Sequence, residues 1–521
     1  MIRQLLARKG VPELRGEAEP LDTELRRVLG PWQLTGLGIG AIIGAGIFSG
    51  AGTAIAGGAE HLGAGPALMV SYVLVAVACG FAALCYAEFA AMIPQSGSAY
   101  TYAYATLGEL VAWIIGWDLI IEYAVGNVAV AVSWSGYFQE LLRGFGLALP
   151  EWLATDYLTA LHGAAQVRDA IAQGLDPATL GAHVLQAAEA AENAPRLFGL
   201  PLIVNLPAVA IVVAITWILV IGIRESAWFN TAMVVVKLGI LAFFIVAGAF
   251  FVRPENWRPF APNGFSGIWT GASLIFFAYI GFDAVSTAAE ESRNPRRDMP
   301  LAIIASLVIT SVIYIVTTAV LTGLVPWTQL GTAEPLATAF SERGLDFAAG
   351  IIAFGAVVAT TSVLLVFQLG QPRIFYAMAR DGLLPGWAAS VHRKYRTPHV
   401  TTILTGVFVA FFAAFAPIEA VIELTNIGTL FAFILVAAGV LVLRRLEPDR
   451  YRPFRTPWVP FVPLMAIAAC LWLMLGLPTR TWVRFGVWLV IGIVIYLVYG
   501  FKHSALRNRR AAETQPAGPR G

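Results

Sequence analysis

Charge is scarce in this chain. Of its 521 residues only 13% are Asp, Glu, Lys or Arg, and mean hydropathy is +0.73. Soluble domains carry about 25% charged residues, so an ordinary water-soluble fold is excluded. The net charge of +2 gives no reason to expect a nucleic-acid partner. Lysine is rarer still: only Lys9, Lys237, Lys394 and Lys502 occur, and none follows a glycine. No GxxxxGK[ST] phosphate loop exists, so ATP is not bound through one. Cysteine is limited to Cys79, Cys85 and Cys470, all in apolar runs, where they read as small buried hydrophobes. The six histidines (His61, His162, His183, His392, His399 and His503) sit in loops or at the ends of apolar runs. None forms an HExxH pair or a nucleophile constellation, so the pattern disfavours a membrane enzyme and suggests neither metal nor cofactor. The opening MIRQLLARKG is too short and too charged for a cleavable signal and reads as a short amphipathic helix on a membrane surface.

What the chain has is apolar length. Runs of about 20 apolar residues, enough to cross a bilayer, recur from Trp32 to Tyr499. They predict an all-α integral membrane protein with twelve transmembrane helices. The expected spans lie near 32–57, 66–92, 107–138, 202–224, 228–252, 267–289, 300–325, 347–375, 399–417, 421–443, 459–477 and 481–500. With the N-terminus cytoplasmic, 25 basic residues fall on that side and 8 on the other, leaving Lys237 inside a span. The positive-inside rule then places both termini in the cytoplasm of a multi-pass plasma-membrane protein. Residues 145–200, alanine-rich and only moderately apolar, form an extracellular insert; Leu158, Leu161, Ala164, Ala165 and Ile171 keep helical spacing and suggest short amphipathic helices. That insert reads as a structural cap more than as a dock for a partner. Residues 1–31 form a cytoplasmic N-terminal segment, and 501–521 a polar, disordered tail.

One stretch resists simple helix reading. GIGAIIGAGIF, residues 38–48, puts Gly38, Gly40, Gly44 and Gly46 in the middle of the first span. Each costs roughly 1 kcal/mol relative to alanine in a helix interior. On the glycines alone, a GxxxG packing face and an unwound segment are equally open. The sixth span carries a comparable interruption at Phe276–Asp283, five spans later. A five-span repeat must insert with inverted topology, and paired breaks in corresponding spans point to an inverted-repeat secondary carrier with a midplane site. Unwound backbone survives in a bilayer only where protein or a water-filled cavity surrounds it. Free N–H groups at the second half-helix suit a carboxylate, and free carbonyls at the first suit an ammonium group. An amino acid presents both. Twelve spans in one chain also fit a self-contained carrier better than a channel assembled around a shared pore.

These residues resemble the amino acid–polyamine–organocation superfamily, and within it the cationic amino acid transporter family in its bacterial, proton-coupled form. The resemblance rests on GIGAIIGAGIF, CYAEFAAMIPQSGSAYTYAYATLGELVAWIIGWDLIIEY, FFAYIGFDAVSTAAEESRNPRRDMP, RIFYAMARDGLLP and LTNIGTLFAF, which together run from about Arg26 to His503 outside the insert. It implies a LeuT-like fold: spans 1–5 (32–252) and 6–10 (267–443) as inverted repeats, with spans 11 and 12 (459–500) peripheral. It implies symport of L-amino acids with protons, the proton gradient being the energy source. Carried over by position, Ile42, Ile43, Gly44, Ala45, Gly46 and Ile47 would line the carboxylate and amine through backbone groups. Phe276, Ala278 and Ile280 would offer carbonyls to the amine, and Phe277 would be the outer aromatic gate. Ala45 departs from relatives that carry a hydroxyl there, so backbone contacts must suffice.

Ionisable groups inside apolar spans are functional by default. Lys237 lies about nine residues, roughly 14 Å, from the cytoplasmic end of span 5, a depth at which snorkelling is difficult. By resemblance it sits against span 1, where sodium-driven relatives place a cation. It is therefore expected to bond to unwound span-1 carbonyls and to take part in proton coupling. Asp118 and Glu122 share one face of span 3; Glu122 is the expected proton-linked or gating group, with Asp283 as partner. A fixed structural hydrogen bond competes with that role for all three. Glu88, Glu290 and Glu291 are expected to form a closing salt-bridge network with Arg293, Arg296 and Arg297. Val363 and Phe367 would line an apolar side-chain pocket, and no carboxylate is placed for a cationic tail. The expected substrates are accordingly small or medium neutral amino acids such as alanine. An exchanger, a cationic amino acid transporter and an amino acid sensor are the alternatives. The expected partners are an L-amino acid, a proton and membrane lipid, with a small membrane partner left open by the sequence.

Overall fold

In the computed structural model, the structure describes residues 7–9, 29–58, 61–93, 98–176, 180, 182–221, 227–332, 334–395 and 397–508. Calls on the N-terminal segment before residue 29 (apart from 7–9), on the tail after 508, and on the Glu290 and Glu291 side chains lie outside the described residues.

The chain is almost wholly helical. Among the described residues nine helices are long and apolar enough to cross a membrane, and three apolar helices are shorter. In chain order they are α1 (Pro31–Ala56), α2 (Gly65–Met92), α3 (Glu109–Gly144), α4 (Leu206–Ile221), α5 (Ala232–Ala249), α6 (Gly264–Ser286), α7 (Pro295–Leu324), α8 (Asp346–Arg380), α9 (His399–Phe415), α10 (Ile418–Leu446), α11 (Phe461–Leu475) and α12 (Thr479–Asn508). One continuous apolar core joins them. Helix α7 packs along both α2 and α1, α8 along α3 and α5, and α9 along α4. The outer faces are apolar too: Val70, Val73 and Val77 on α2, and Val483, Val487, Val490 and Val494 on α12, are exposed at helical spacing. In water such stripes would be a liability; against lipid tails they are the expected surface.

Aromatic N–H groups fasten the last two helices. Trp113 and Trp117 of α3 donate to the Gly492 and Trp488 carbonyls of α12 at 2.8 and 2.9 Å. Trp269 and Ser273 of α6 donate to Trp472 and Leu473 of α11 at 2.9 and 2.7 Å. Lys9 and Ala505 meet at one face of the bundle. Lys9 Nζ lies 2.9 Å from Asp381 Oδ1, and Ala505 N donates to the Asp381 carbonyl at 3.0 Å.

Between α3 and α4, helices Tyr157–Ala172 and Ala182–Asn193 pack on each other, followed by a two-stranded hairpin, Arg196–Leu197 with Leu200–Pro201. Asp156 caps the first helix, accepting from Thr159 N at 2.9 Å. Their shared core is Ala160, Ala190, Ala191, Ala194 and Ile203. The periodicity of Leu158 and Ile171 misleads here, since both are exposed. Two helices this close need small residues between them: a Cβ on Gly163 would stand 2.7 Å from that of Ala187.

Glu88 also departs from expectation. Its carboxylate accepts from Arg444 Nε and Nη2 at 3.0 and 2.8 Å and from Thr456 N at 2.8 Å. Arg452 Nε lies 3.1 Å away, a charge contact too far off line to be a hydrogen bond. The buried acid of α2 therefore ties down the end of α10 and the connector to α11, not the arginines of the α6–α7 turn. Breaking a buried pair leaves uncompensated charge, worth about 3–5 kcal/mol. Glu88→Ala should lower unfolding stability on that scale in denaturant titration. Glu447→Ala, which breaks the more exposed Glu447–Arg450 pair, should cost no more than about 1 kcal/mol.

Candidate functional site

Helix α1 runs regularly to Ile42, then breaks. Ile43 is extended (ψ 100°), and the chain re-enters a helix through the π turn Gly46–Gly50. Helix α6 tightens into a 3-10 turn over Phe276–Tyr279, turns extended at Ile280 (ψ 133°) and passes through Gly281 at φ +118°. That φ and the approach of Ala41, whose carbonyl carbon would lie 2.9 Å from an added Cβ, both demand glycine at 281. The two breaks meet. A Cβ on Gly46 would stand 2.2 Å from the Ala278 Cα, backbone against backbone. Thus Ile42, Ile43, Gly44, Ala45, Gly46 and Ile47 come together with Phe276, Phe277, Ala278 and Ile280 in one buried place.

Breaking a helix frees carbonyls, and a buried free carbonyl costs several kcal/mol in an apolar medium. Side chains from four other helices take them up. Lys237 of α5 donates to the Gly40 carbonyl at 2.6 Å. Tyr314 of α7 lies 2.9 Å from the Ile42 carbonyl and 3.0 Å from that of Ala278, one hydroxyl reaching both breaks. Tyr137 of α3 donates to the Phe48 carbonyl. Asn426 of α10 donates to Ser273 and Leu274, in the last turn of α6 before its 3-10 segment, at 2.8 and 2.9 Å. Tyr314, Tyr137 and Asn426 escaped the sequence reading. For Tyr314 the available signal was a lone phenol inside an aliphatic run, which must find a partner when buried; Tyr137 and Asn426 stand among other polar and aromatic residues and carried no such signal.

Around this centre, Val363 of α8 faces Gly44, its Cγ2 lying 2.7 Å from where a glycine-replacing Cβ would sit. Phe367, one turn further, packs on Tyr123 with ring centroids 5.7 Å apart. Phe276 packs edge-on against Phe433 of α10 at 5.7 Å, and Phe277 is buried beside it. Glu122 sits in a π turn of α3, Ile121–Val125, and its carboxyl lies within hydrogen-bonding reach of Asp283. Gly281 N donates to Asp283 Oδ1 at 3.3 Å, tying that carboxyl to the α6 break. Asp118 does not join the pair. Its carboxyl lies against Gly428 of α10 and has no hydrogen-bond partner among the described residues. Outside the spanning helices, Glu334, partly open to solvent yet enclosed by protein, has its carboxyl pushed up to about 7 by burial, with Glu140 adding to the effect and Arg143 opposing it. Among the described residues no three His, Cys, Asp or Glu side chains cluster as metal ligands do.

The backbone contact at Gly46 has a direct consequence. Overpacking a close contact costs about 1–3 kcal/mol, and here the obstacle is main chain that cannot rotate away. Gly46→Ala should therefore lower the unfolding midpoint clearly. Gly36→Ala, in the same helix with nothing within 4 Å, should be neutral or slightly stabilising.

Comparison with known proteins identifies the family. The family model described as amino acid permease matches residues 29–499. The chain is similar to a branched-chain amino acid permease of Bacillus subtilis, 46% identical over 488 residues, 94% of this chain and 96% of the relative. It is similar to a methylthioribose transporter of the same organism, 42% identical over 94% of this chain and 97% of the relative. Human cationic amino acid transporter 4 is more distant, 30% identical over 95% of this chain and 90% of the relative. Those relatives are transporters, and they match over nearly their whole length. The chain belongs to the amino acid permease family, a family of membrane transport proteins.

Proposed function

We propose that this chain is a twelve-span secondary carrier that takes up neutral L-amino acids together with protons. In this reading α1–α5 and α6–α10 are the inverted repeats, α11 and α12 are peripheral, and the face where Lys9 and Ala505 meet at Asp381 is cytoplasmic. An even number of crossings brings both ends to one face, which supports counting the three shorter helices as spans. The single observation that carries the reading is the approach of Gly46 to Ala278, which sets two broken backbones side by side.

The substrate carboxylate is bound by the N–H groups of Gly44–Ile47, at the positive end of the second half of α1. Its ammonium group turns to the carbonyls of Ile42, Phe276, Ala278 and Ile280. Two of those carbonyls face the single proton of the Tyr314 hydroxyl. An arriving ammonium, with three donors, takes over that work and frees the phenol, so binding itself is felt by α7. Phe277 closes the outer side. The substrate side chain meets Val363 and Phe367, both apolar, which supports neutral aliphatic substrates. The similarity to a protein named for branched-chain amino acids supports the same class.

For coupling, one proton shared by Glu122 and Asp283 removes a repulsion between α3 and α6, because two adjacent buried carboxylates cannot both stay charged. Lys237 holds the last regular turn of α1 through Gly40, so gain or loss of its proton alters the grip on the half-helix that must move.

In liposomes with an imposed pH gradient, wild-type protein should accumulate labelled alanine. Lys237→Ala and Glu122→Gln should each abolish gradient-driven accumulation, and unchanged accumulation in both would overturn proton coupling through these groups. In the same assay leucine, isoleucine or valine should compete with alanine at concentrations at least about tenfold below arginine, a difference of about 1.4 kcal/mol. Arginine or methylthioribose as the strongest competitor would overturn the substrate class.

A further inference from the structure

A cavity of about 220 Å³ lies between α3, the second half of α8, the Leu384–Ala388 connector and α9. None of the residues that form the α1 and α6 breaks lines it. Its walls are apolar (Ile120, Phe375, Phe408), and no Lys, Arg, Asp, Glu or His lines it. Three polar side chains, Gln371, Thr401 and Thr405, belong to its wall. Gln371 is wholly buried and neither its amide oxygen nor its nitrogen has a hydrogen-bond partner among the described residues; the buried Thr405 hydroxyl also lacks one. Thr401, also on the wall, already donates to the Pro398 carbonyl at 3.0 Å. An amide left unpaired in a dry site costs about 1–3 kcal/mol per group, so this pair of residues is expensive to keep unless something satisfies it.

The mouth of the cavity indicates where an occupant comes from. Trp387 and Leu404 line it and are about half exposed, and Ile403 and Val407 beside them on α9 are exposed apolar residues of the lipid-facing kind. An engineered apolar cavity of about 150 Å³ takes up benzene, so this one has room for a larger molecule. The uncharged walls reject an ion. The amide needs both a donor and an acceptor, and the hydroxyl accepts or donates as required.

We propose that this cavity binds an uncharged amphipath from the bilayer, a single hydrocarbon chain ending in a hydroxyl, with the hydroxyl between Gln371 and Thr405 and the chain along Phe375 and Phe408. The inference does not depend on the transport reading. It does bear on it, since Ile120, just before the π turn that carries Glu122, and Ala124, within that turn, line the same cavity, so an occupant braces the turn.

The test uses the full chain held in amphipol, with 1-octanol and octane as probes. Octanol should raise the thermal unfolding midpoint in a saturable way and octane should not. Gln371→Leu and Thr405→Val should each lose the octanol shift while keeping a midpoint at or above that of the parent, because each removes unpaired buried polar atoms. A bromine-tipped alcohol should quench tryptophan emission in the parent more than in Trp387→Phe. Octane acting as well as octanol, an octanol shift that survives both substitutions, no octanol shift at all, or quenching unaltered by Trp387→Phe would each overturn the proposal.

Discussion

The structure depends on one constraint: a carbonyl released from a helix inside an apolar medium must find another donor. Breaking α1 after Ile42 and α6 after Tyr279 creates that debt at the centre of the bundle. The donors come from α3, α5, α7 and α10, as Tyr137, Lys237, Tyr314 and Asn426. These bonds do more than stabilise. They also restrict the rotation of four helices about the breaks, most tightly where the donor is the short or rigid side chain of Asn426, Tyr137 or Tyr314. The packing of α7 against both α1 and α2 then follows from the position of Tyr314 as much as from the aliphatic surface around it.

The glycines allow this arrangement; they do not drive it. Gly46 lets two main chains touch, and Gly281 supplies a backbone angle that a side chain would strain. The donors then give the broken conformation its stability. A glycine-rich stretch without them would have re-formed a helix or become a flat packing face. The choice between those two accounts of GIGAIIGAGIF turns on residues far along the chain, from Tyr137, 89 positions from its Phe48 partner, to Tyr314, 272 positions from its Ile42 partner.

That separation explains what could be read from the chain alone. Helix positions and the paired breaks were legible, because apolar length and glycine placement are local properties. Lys237 was legible as well, since one lysine in an apolar run has few ways to be accommodated, and its bond to Gly40 lies in the expected helix. The donors Tyr314, Tyr137 and Asn426 were not, because their meaning depends on the rotation of helices distant in sequence. Packing redirected two further readings. Glu88 pairs with Arg444 and Arg452 rather than with Arg293, Arg296 and Arg297, because buried charge follows the three-dimensional neighbour. The leucine spacing in 157–172 suggested an inward face, yet alanines and a glycine make the contact while Leu158 and Ile171 point out. In a two-helix unit with so small a core, close approach of backbones outweighs burial of large side chains.

The proposed coupling uses the same constraint. A carrier needs its bound and empty states to differ in free energy by an amount its ligands can supply, a few kcal/mol. Hydrogen bonds to charged donors contribute about 1.5–3 kcal/mol each, which is the right scale. At the breaks the donors are of two kinds. Tyr137 and Asn426 are uncharged donors and act as fixed struts. In the proposed coupling Lys237 gains and loses a proton, and a substrate ammonium competes with Tyr314 for the same carbonyls. In the proposal, substrate and proton act on nearby carbonyls of one half-helix, Ile42 for the first and Gly40 for the second. Two ligands that act on one movable element are coupled through it without a relay between their sites. In the proposed coupling only Ala41 separates the points where they act.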